Sequence, residues 1–251
     1  MENKLYHISD KLQALIDWDN VMSMPRYAGG HDEQMKCLFK GAKVVAHWNQ
    51  GDYQGMVATC VKLPDGRFLA YNDYYGSCSG CDSWDDATDI EVKKLCIDLA
   101  NGAYIFDSLD DVVTFLSQEE FDSYEWRECA KSLLERIKVW CFICSLERIG
   151  FKQRKDSFSY LYQHKPFLFE LEFDNDNPLF VNSHVYTFGE KPDATIKSAL
   201  PDLSTHVLDF ETIDYLANVF ECTLKRLCDV AIAKSRDDME HSALTKIRSK
   251  L

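Results

Sequence analysis

Between Tyr74 and Asp82 the chain reads YYGSCSGCD, setting two glycines, two serines and two cysteines side by side. Glycine tolerates positive φ and lets backbone approach a ligand closely, so successive amides here could form an anion-binding hollow with hydroxyls and thiols as further donors. Amide dipoles would lower the pKa of a thiol in such a hollow, whereas the carboxylates of Asp82, Asp85, Asp86 and Asp89 would raise it and repel anions. Cys78 and Cys81 therefore have four readings. They are ordinary thiols of a tight structural turn, part of a pocket or contact surface, a zinc knuckle, or a redox or nucleophilic centre. The pocket would add Ser77, Ser79, Tyr74, Tyr75 and the segment Asp52-Tyr53-Gln54-Gly55.

A second Cys-x-x-Cys, Cys141-Phe142-Ile143-Cys144, would complete a four-thiolate zinc site. Its place argues for core instead, because it ends a long apolar stripe and is flanked by Trp140, Phe142 and Ile143. Cys60, Cys96 or His47 would then have to complete the site, and no spacing places them there. Catalysis by Cys78 or Cys81 needs a base such as His47, His164 or His184. These histidines are scattered, and His47, on a predicted strand beside Trp48, reads as a structural residue with a satisfied ring nitrogen. The chain carries no phosphate-binding loop, dinucleotide fingerprint, zincin helix or nucleophile elbow. No catalytic residue, cofactor or metal is assigned; a zinc ion, if one were bound, would sit on Cys78 and Cys81.

Trp48, Tyr53, Tyr71, Tyr74, Tyr75 and Trp84 surround the turn in sequence and could line a pocket or anchor a protein interface. Alternation on a strand divides them, putting Tyr71 and Tyr75 on one face and Tyr74 on the other. Half of the group is expected to be packing.

The elements that must position these residues follow from periodicity and turn chemistry. Helical spacing marks Leu5 to Leu15, and a short helix is predicted from Asp32 to Phe39 after Gly29-Gly30. Ala42 to Trp48, Gly55 to Leu63 and Arg67 to Tyr75 read as an antiparallel meander, the last two strands joined by Pro64-Asp65-Gly66. Thr88 and Glu91 form a capping box for a helix to about Leu99, stopped by Asn101-Gly102. Ser108 caps a short helix through Leu116, and Ser117 with Glu120 is predicted to open a long one reaching Ile149. On it Trp126, Cys129, Leu133, Ile137, Trp140, Cys141 and Cys144 make one stripe. Strands follow over Ser157 to Tyr162, Phe167 to Phe173 and Leu179 to Phe188, with Asp174 to Asn177 as a turn, and a last helix from Phe210 to Ala233. The class is α+β. A lobe over residues 1–150 holds a three-stranded meander and acidic helices. A second over 151–251 holds a further antiparallel β segment packed by the C-terminal helix, the two forming one body.

The chain has 251 residues, 46% of them hydrophobic, enough for a sizeable core. No apolar run reaches the ~18 residues of a membrane span, and the opening residues lack a signal-peptide pattern. Together with ten irregularly spaced cysteines, read as reduced thiols, this predicts a cytoplasmic protein. The net charge of −13 is concentrated, with fourteen acids against three cations between Asp82 and Glu128. That balance argues against direct nucleic-acid binding, which requires cations to displace phosphate counterions. It suits either a solvated face or a basic partner, including a nucleic-acid-binding protein whose groove an acidic surface could fill.

With Gly51 to Gly55 reading GDYQG, Pro64 to Arg67 reading PDGR and Tyr75 to Asp82 reading YGSCSGCD, the first half of the chain resembles a group of uncharacterised proteins from bacteria and their phages. The resemblance implies no activity, cofactor or catalytic residue. It implies membership of a mobile element or of host-phage conflict.

The sequence thus predicts a non-enzymatic, acidic protein that blocks or sequesters a basic protein partner. Its candidate contacts are Asp52, Tyr53, Gln54, Tyr74, Tyr75, Ser77, Cys78, Ser79, Cys81, Asp82, Trp84, Asp85, Asp86 and Asp89. An immunity-type protein neutralising a co-encoded toxin would use the same physics. The alternative is a small-molecule-binding or metal- or thiol-dependent enzyme with its site at Asp52 to Gly55 and Gly76 to Asp82.

Overall fold

The computed structural model describes residues 9–24, 31–51, 54–76, 83–148, 150, 152–153, 159–164, 167–173 and 181–187, with positions 225, 229, 242, 245, 248 and 249. The chain divides into two compact units, Met1–Ile137 and Lys138–Leu251. That division falls thirteen residues before Gly150, inside a long helix.

In the first unit the predicted meander forms from β1 (Lys43–Asn49), β2 (Gly55–Lys62) and β3 (Phe68–Tyr75). Pro64-Asp65-Gly66 closes the second hairpin. Leu63 and Arg67 exchange a backbone bond of 2.8 Å, Gly66 supplies a φ of 94°, and the Asp65 carboxylate accepts from the Arg67 amide and guanidinium. A fourth strand, β4 (Tyr104–Phe106), extends the sheet in the order β1-β2-β3-β4, all antiparallel. Three residues between a helix stop and a helix cap are too few to display alternation, so periodicity did not reveal it.

Every β2 residue from Gly55 to Val61 is buried, as in a strand covered on both faces. One face meets α1 (Ser9–Gln13), α2 (Trp18–Ser23), α3 (Asp32–Cys37) and α4 (Asp89–Gly102), whose Leu12, Val21, Met35, Val92 and Cys96 join Val57, Val61, Leu69 and Tyr71 in one core. The expected first helix ends at Gln13 and not at Leu15, its residues before Ser9 lying outside the described ones, and α2, which follows it, was not foreseen. The other face meets α5 (Leu109–Leu116) and α6 (Tyr124–Arg148). Phe115 stands 4.7 Å from Tyr104 and 5.2 Å from Trp126, centre to centre, and Asn72 Nδ2 reaches Cys129 Sγ at 3.7 Å.

Local chemistry sets the helix starts. Thr88 Oγ1 accepts from the Glu91 amide while Glu91 accepts from the Thr88 amide at 2.8 Å, and Ser108 with Asp111 repeats the box at α5. Such a cap contributes ~1 kcal/mol. The expectation that Ser117 and Glu120 open α6 is corrected. The Ser117 amide is already bonded to the Val113 and Phe115 carbonyls as the C-cap of α5, and α6 starts after Ser123, whose hydroxyl accepts from the Trp126 amide. Along α6, Trp126, Cys129, Leu133 and Ile137 are buried, whereas Trp140, Cys141 and Cys144 are half-buried.

The second unit holds an antiparallel sheet in the order β5-β6-β7-β8, from β5 (Lys152–Gln153), β6 (Ser159–His164), β7 (Phe167–Phe173) and β8 (Val181–Thr187). Its register runs from Ser159 opposite Glu172 to His164 opposite Phe167, and from Phe167 opposite Thr187 to Phe173 opposite Val181. The expected turn at Asp174 to Asn177 lies outside the described residues, as does the helix from Phe210 to Ala233 apart from Lys225 and Asp229, both helical. Among the described residues no helix is long and apolar enough to cross a membrane.

Candidate functional site

The β2-β3 register places Gly55 opposite Tyr75, so the ends of GDYQG and the start of YGSCSGCD meet at one end of the first sheet. Tyr75 then reaches across to the β1 end. Its hydroxyl donates to Asn49 Oδ1 at 2.7 Å and accepts from the Gly51 amide at 3.1 Å, while Asn49 Oδ1 also accepts from that amide at 2.7 Å. Gly51 has φ 81°, which L side chains rarely adopt. A Cβ on Gly55 would lie 2.9 Å from Gln50 Cβ and 2.5 Å from its Oε1, which accepts from the Met56 amide, so Gln50 would have to shift and give up that bond. The glycines of GDYQG therefore serve a tightly folded hairpin end.

Beneath this hairpin end lies a ring stack that sequence reading missed. His31, which precedes α3, is buried with its ring 5.2 Å from Trp84 at an interplanar angle of 6°, and Tyr75 meets it edge-on at 5.9 Å. Asp73 joins the stack from β3. Its Oδ2 accepts from Trp84 Nε1 at 2.8 Å and lies 3.7 Å from His31 Nε2, and its Oδ1 accepts from the Tyr74 amide. Both flanks of the Cys78-Cys81 segment, Tyr75 on one side and Trp84 on the other, are thus packed on one imidazole.

A second histidine and carboxylate pair stands alongside. His47 Nδ1 is 2.9 Å from Thr59 Oγ1, and its Nε2 lies 3.4 Å from Asp32 Oδ2. Asp32 Oδ1 accepts from Asn49 Nδ2 at 2.8 Å, which joins this pair to Tyr75 and Gly51 through the two ends of one amide. Burial raises the Asp32 pKa, but the bond and charge of His47, the Asn49 amide and Lys36 outweigh it and leave the carboxyl below its ordinary value.

These contacts suit positioning better than catalysis. The Thr59 hydroxyl, though bonded to His47, is fully buried on the central strand and out of a substrate's reach. Three described thiols of this unit, Cys37, Cys96 and Cys129, are held protonated. Burial pushes Cys96 up to about 12 and Cys37 and Cys129 to about 11, so they behave as core residues.

Of the predicted contact residues, Tyr74 is 47% exposed while Tyr75 and Trp84 are buried, as is Tyr71, whose hydroxyl donates to the Met35 carbonyl at 2.6 Å. The alternation of Tyr71, Tyr74 and Tyr75 is as expected. The expectation that Tyr75 and Trp84 offer their rings to a partner is corrected, because the His31 stack turns both inward. Gln54, Asp86 and Asp89 are exposed and Asp85 half-exposed. Asp52, Tyr53, Ser77, Cys78, Ser79, Cys81 and Asp82 lie outside the described residues. Among the described residues no group of three histidine, cysteine or acidic side chains is placed to hold a metal ion.

The acidic stretch itself is solvated. Asp86, Asp89, Glu91, Asp98, Asp107, Asp110, Asp111, Glu119, Glu120, Asp122, Glu125 and Glu128 are all exposed. Three of them are engaged in helix starts, Glu91 with Thr88, Asp111 with Ser108 and Glu125 with Ser123. Ile90, 81% exposed, and Tyr124, 60% exposed, stand among them as large apolar groups in water, the Tyr124 ring 5.9 Å from the Arg127 guanidinium.

No family model, curated protein or solved structure matches the chain.

Proposed function

We propose that the protein is a non-enzymatic binding protein of bacterial or phage origin, inhibitory or regulatory in action, that covers a basic surface of another protein. The observation that carries this reading is the run of exposed carboxylates from Asp86 to Glu128, opposed by only three cations and interrupted by the exposed Ile90 and Tyr124. Single-sign fields steer oppositely charged partners and set association rates, while exposed aromatic and aliphatic groups supply the dehydrated contact. The test is capture from bacterial lysate on the immobilised chain, compared with a variant carrying Asp85→Asn, Asp86→Asn, Asp89→Asn and Asp98→Asn. Asparagine is chosen because Asp86 has φ 54°, which asparagine tolerates and lysine does not. Basic proteins retained by the parent, eluted by salt and lost on the variant support the reading. An identical set on both chains overturns it.

A second reading, a small-molecule or thiol-dependent site at the Gly and Cys turn, is favoured by one observation. Two histidine and carboxylate pairs, His31-Asp73 and His47-Asp32, lie where the flanks of GDYQG and YGSCSGCD are anchored. Metal analysis of the purified protein separates the two. Near-stoichiometric zinc that disappears in Cys78→Ser supports the second, and a metal-free protein whose Cys78→Ser, Cys81→Ser form folds fully removes its thiol-dependent version.

A further inference from the structure

Between α2 and α4 lies an open groove of about 760 Å³ lined by Trp18, Asp19, Met22, Ser23 and Lys93. Trp18 and Met22 are half-buried, packed on the core by one side and facing the groove with the other. Asp19 and Lys93 are exposed, and no ion pair joins either to another described side chain. Asp17, next in the chain to Trp18, is occupied as the N-cap of α2, accepting from the Asn20 amide at 3.4 Å and the Asn20 side chain at 2.9 Å. Ser23 is likewise turned back on its own helix, donating to the Asn20 carbonyl at 2.7 Å. Among the described residues the groove therefore offers an indole surface, a thioether, one carboxylate and one ammonium.

A groove lined by both an indole and an unengaged carboxylate can receive a guanidinium. The planar cation stacks on the ring while its N–H groups fork onto the carboxylate, which a lysine ammonium cannot match. Met22 adds a soft apolar wall able to take an aliphatic neighbour. Lys93 repels a second cation and so fixes which way the segment runs.

We propose that this groove is the docking point for an arginine-bearing segment of the basic partner, with the guanidinium over Trp18 and against Asp19 and an aliphatic residue on Met22. The inference rests on the acidic-surface reading for the partner's charge, and adds the anchor that the diffuse field of carboxylates lacks. A volume of about 760 Å³ suits a few residues of peptide better than a single side chain.

The test is a titration of the full chain, followed by NMR at the Trp18 indole N–H, with the peptide acetyl-Gly-Arg-Leu-Gly-amide, its lysine counterpart and free L-arginine. The Trp18 signal should move with the arginine peptide, which should bind about 3-fold or more tighter than the lysine form. Asp19→Asn, a change of an exposed residue that leaves the fold alone, should weaken binding by about 3- to 5-fold, and Lys93→Glu should strengthen it by a similar factor. An unmoved Trp18 signal at millimolar peptide overturns the proposal, as does equal binding of the arginine and lysine peptides, or equal binding of the parent and Asp19→Asn chains. If free arginine binds as tightly as the peptide, the groove is a small-molecule site and the peptide assignment fails. The acidic-surface reading fails separately. Neutralising Asp85, Asp86, Asp89 and Asp98 abolishes protein capture where that reading holds, whereas Trp18 shifts with the short peptide persist in that variant whichever way capture turns out.

Discussion

Carboxylates at the hairpin corner and carboxylates of the stretch from Asp86 to Glu128 lie within one unit and do opposite things. Asp73 and Asp32 are partly covered, each holding a specific donor, Trp84 Nε1 and Asn49 Nδ2, and each beside a histidine. Asp98, Asp110, Glu119, Glu120 and Glu128 are exposed and carry their charge into solvent. Environment decides the role. A carboxylate with a fixed partner in a covered site contributes to one arrangement of the chain, whereas an exposed one contributes little to stability and much to the long-range field. The described flanks of the corner, Tyr75 and Trp84, are thus held by packing, whereas the acidic stretch carries its charge into solvent.

The contrast breaks most visibly at Trp84. Its side chain is 2% exposed, stacked on His31 and bonded to Asp73, so Trp84→Ala should cost ~3–5 kcal/mol of stability in a urea titration. A loss below 1 kcal/mol would mean that the stack is not what fixes the flank of the Cys78-Cys81 segment. Next in size is Asn49, which bridges Asp32, Tyr75 and Gly51. Asn49→Ala removes the bonds to Asp32 and Tyr75 and one of the two acceptors of the Gly51 amide and should cost ~2–3 kcal/mol, Tyr75→Phe ~1 kcal/mol, and the double mutant less than their sum by at least ~0.5 kcal/mol. Strict additivity would show that the two motif ends are not coupled through this amide.

A sharper contrast comes from acid. The folded Asp32 pKa is below its ordinary value, so below about pH 4 the unfolded chain binds the proton first and the stabilisation is lost as pH falls through the folded value. Asp32→Asn removes the charge and keeps an oxygen for the Asn49 amide. The stability difference between parent and variant should therefore be present at pH 5 and shrink as pH falls from 4 toward 2. A difference that stays constant over that range would assign the effect of Asp32 to shape and not to charge.

How much of this could be read in advance depends on distance along the chain. The Thr88-Glu91 box, the Ser108 cap and the Pro64 to Gly66 turn were legible because each is complete within a few residues. Ser117 and Glu120 looked the same and were not a helix start, since the amide that would need capping was already spent on α5. The corner was illegible as chemistry because His31, Asn49, Asp73 and Trp84 come from four separate segments and no motif joins them. One signal was available. A tight turn at Pro64 to Gly66 with unbroken pairing carries Gly55 to a place opposite Tyr75, so counting back along the hairpin brings GDYQG and YGSCSGCD together. Nothing comparable announces His31, whose position depends on how α3 packs on the sheet.

The smallest expected effect on stability is at the acidic face, and its smallness is what makes it informative. Asp98, Glu119, Glu120 and Glu128 take no part in a helix cap, so Asn or Gln at all four positions should change stability by less than ~0.5 kcal/mol each in the same urea titration. Removing four like charges from a strongly acidic unit relieves self-repulsion, so the summed change should be slightly stabilising. Association with a basic protein captured by the parent should meanwhile slow several-fold at low salt and converge with the parent at high salt, because the lost interaction is screened within a Debye length of ~10 Å at 0.1 M. A variant that loses stability like the Trp84 change would place these acids among the structural ones. One with unchanged association at every salt concentration would leave the face a solvated surface with no partner to steer.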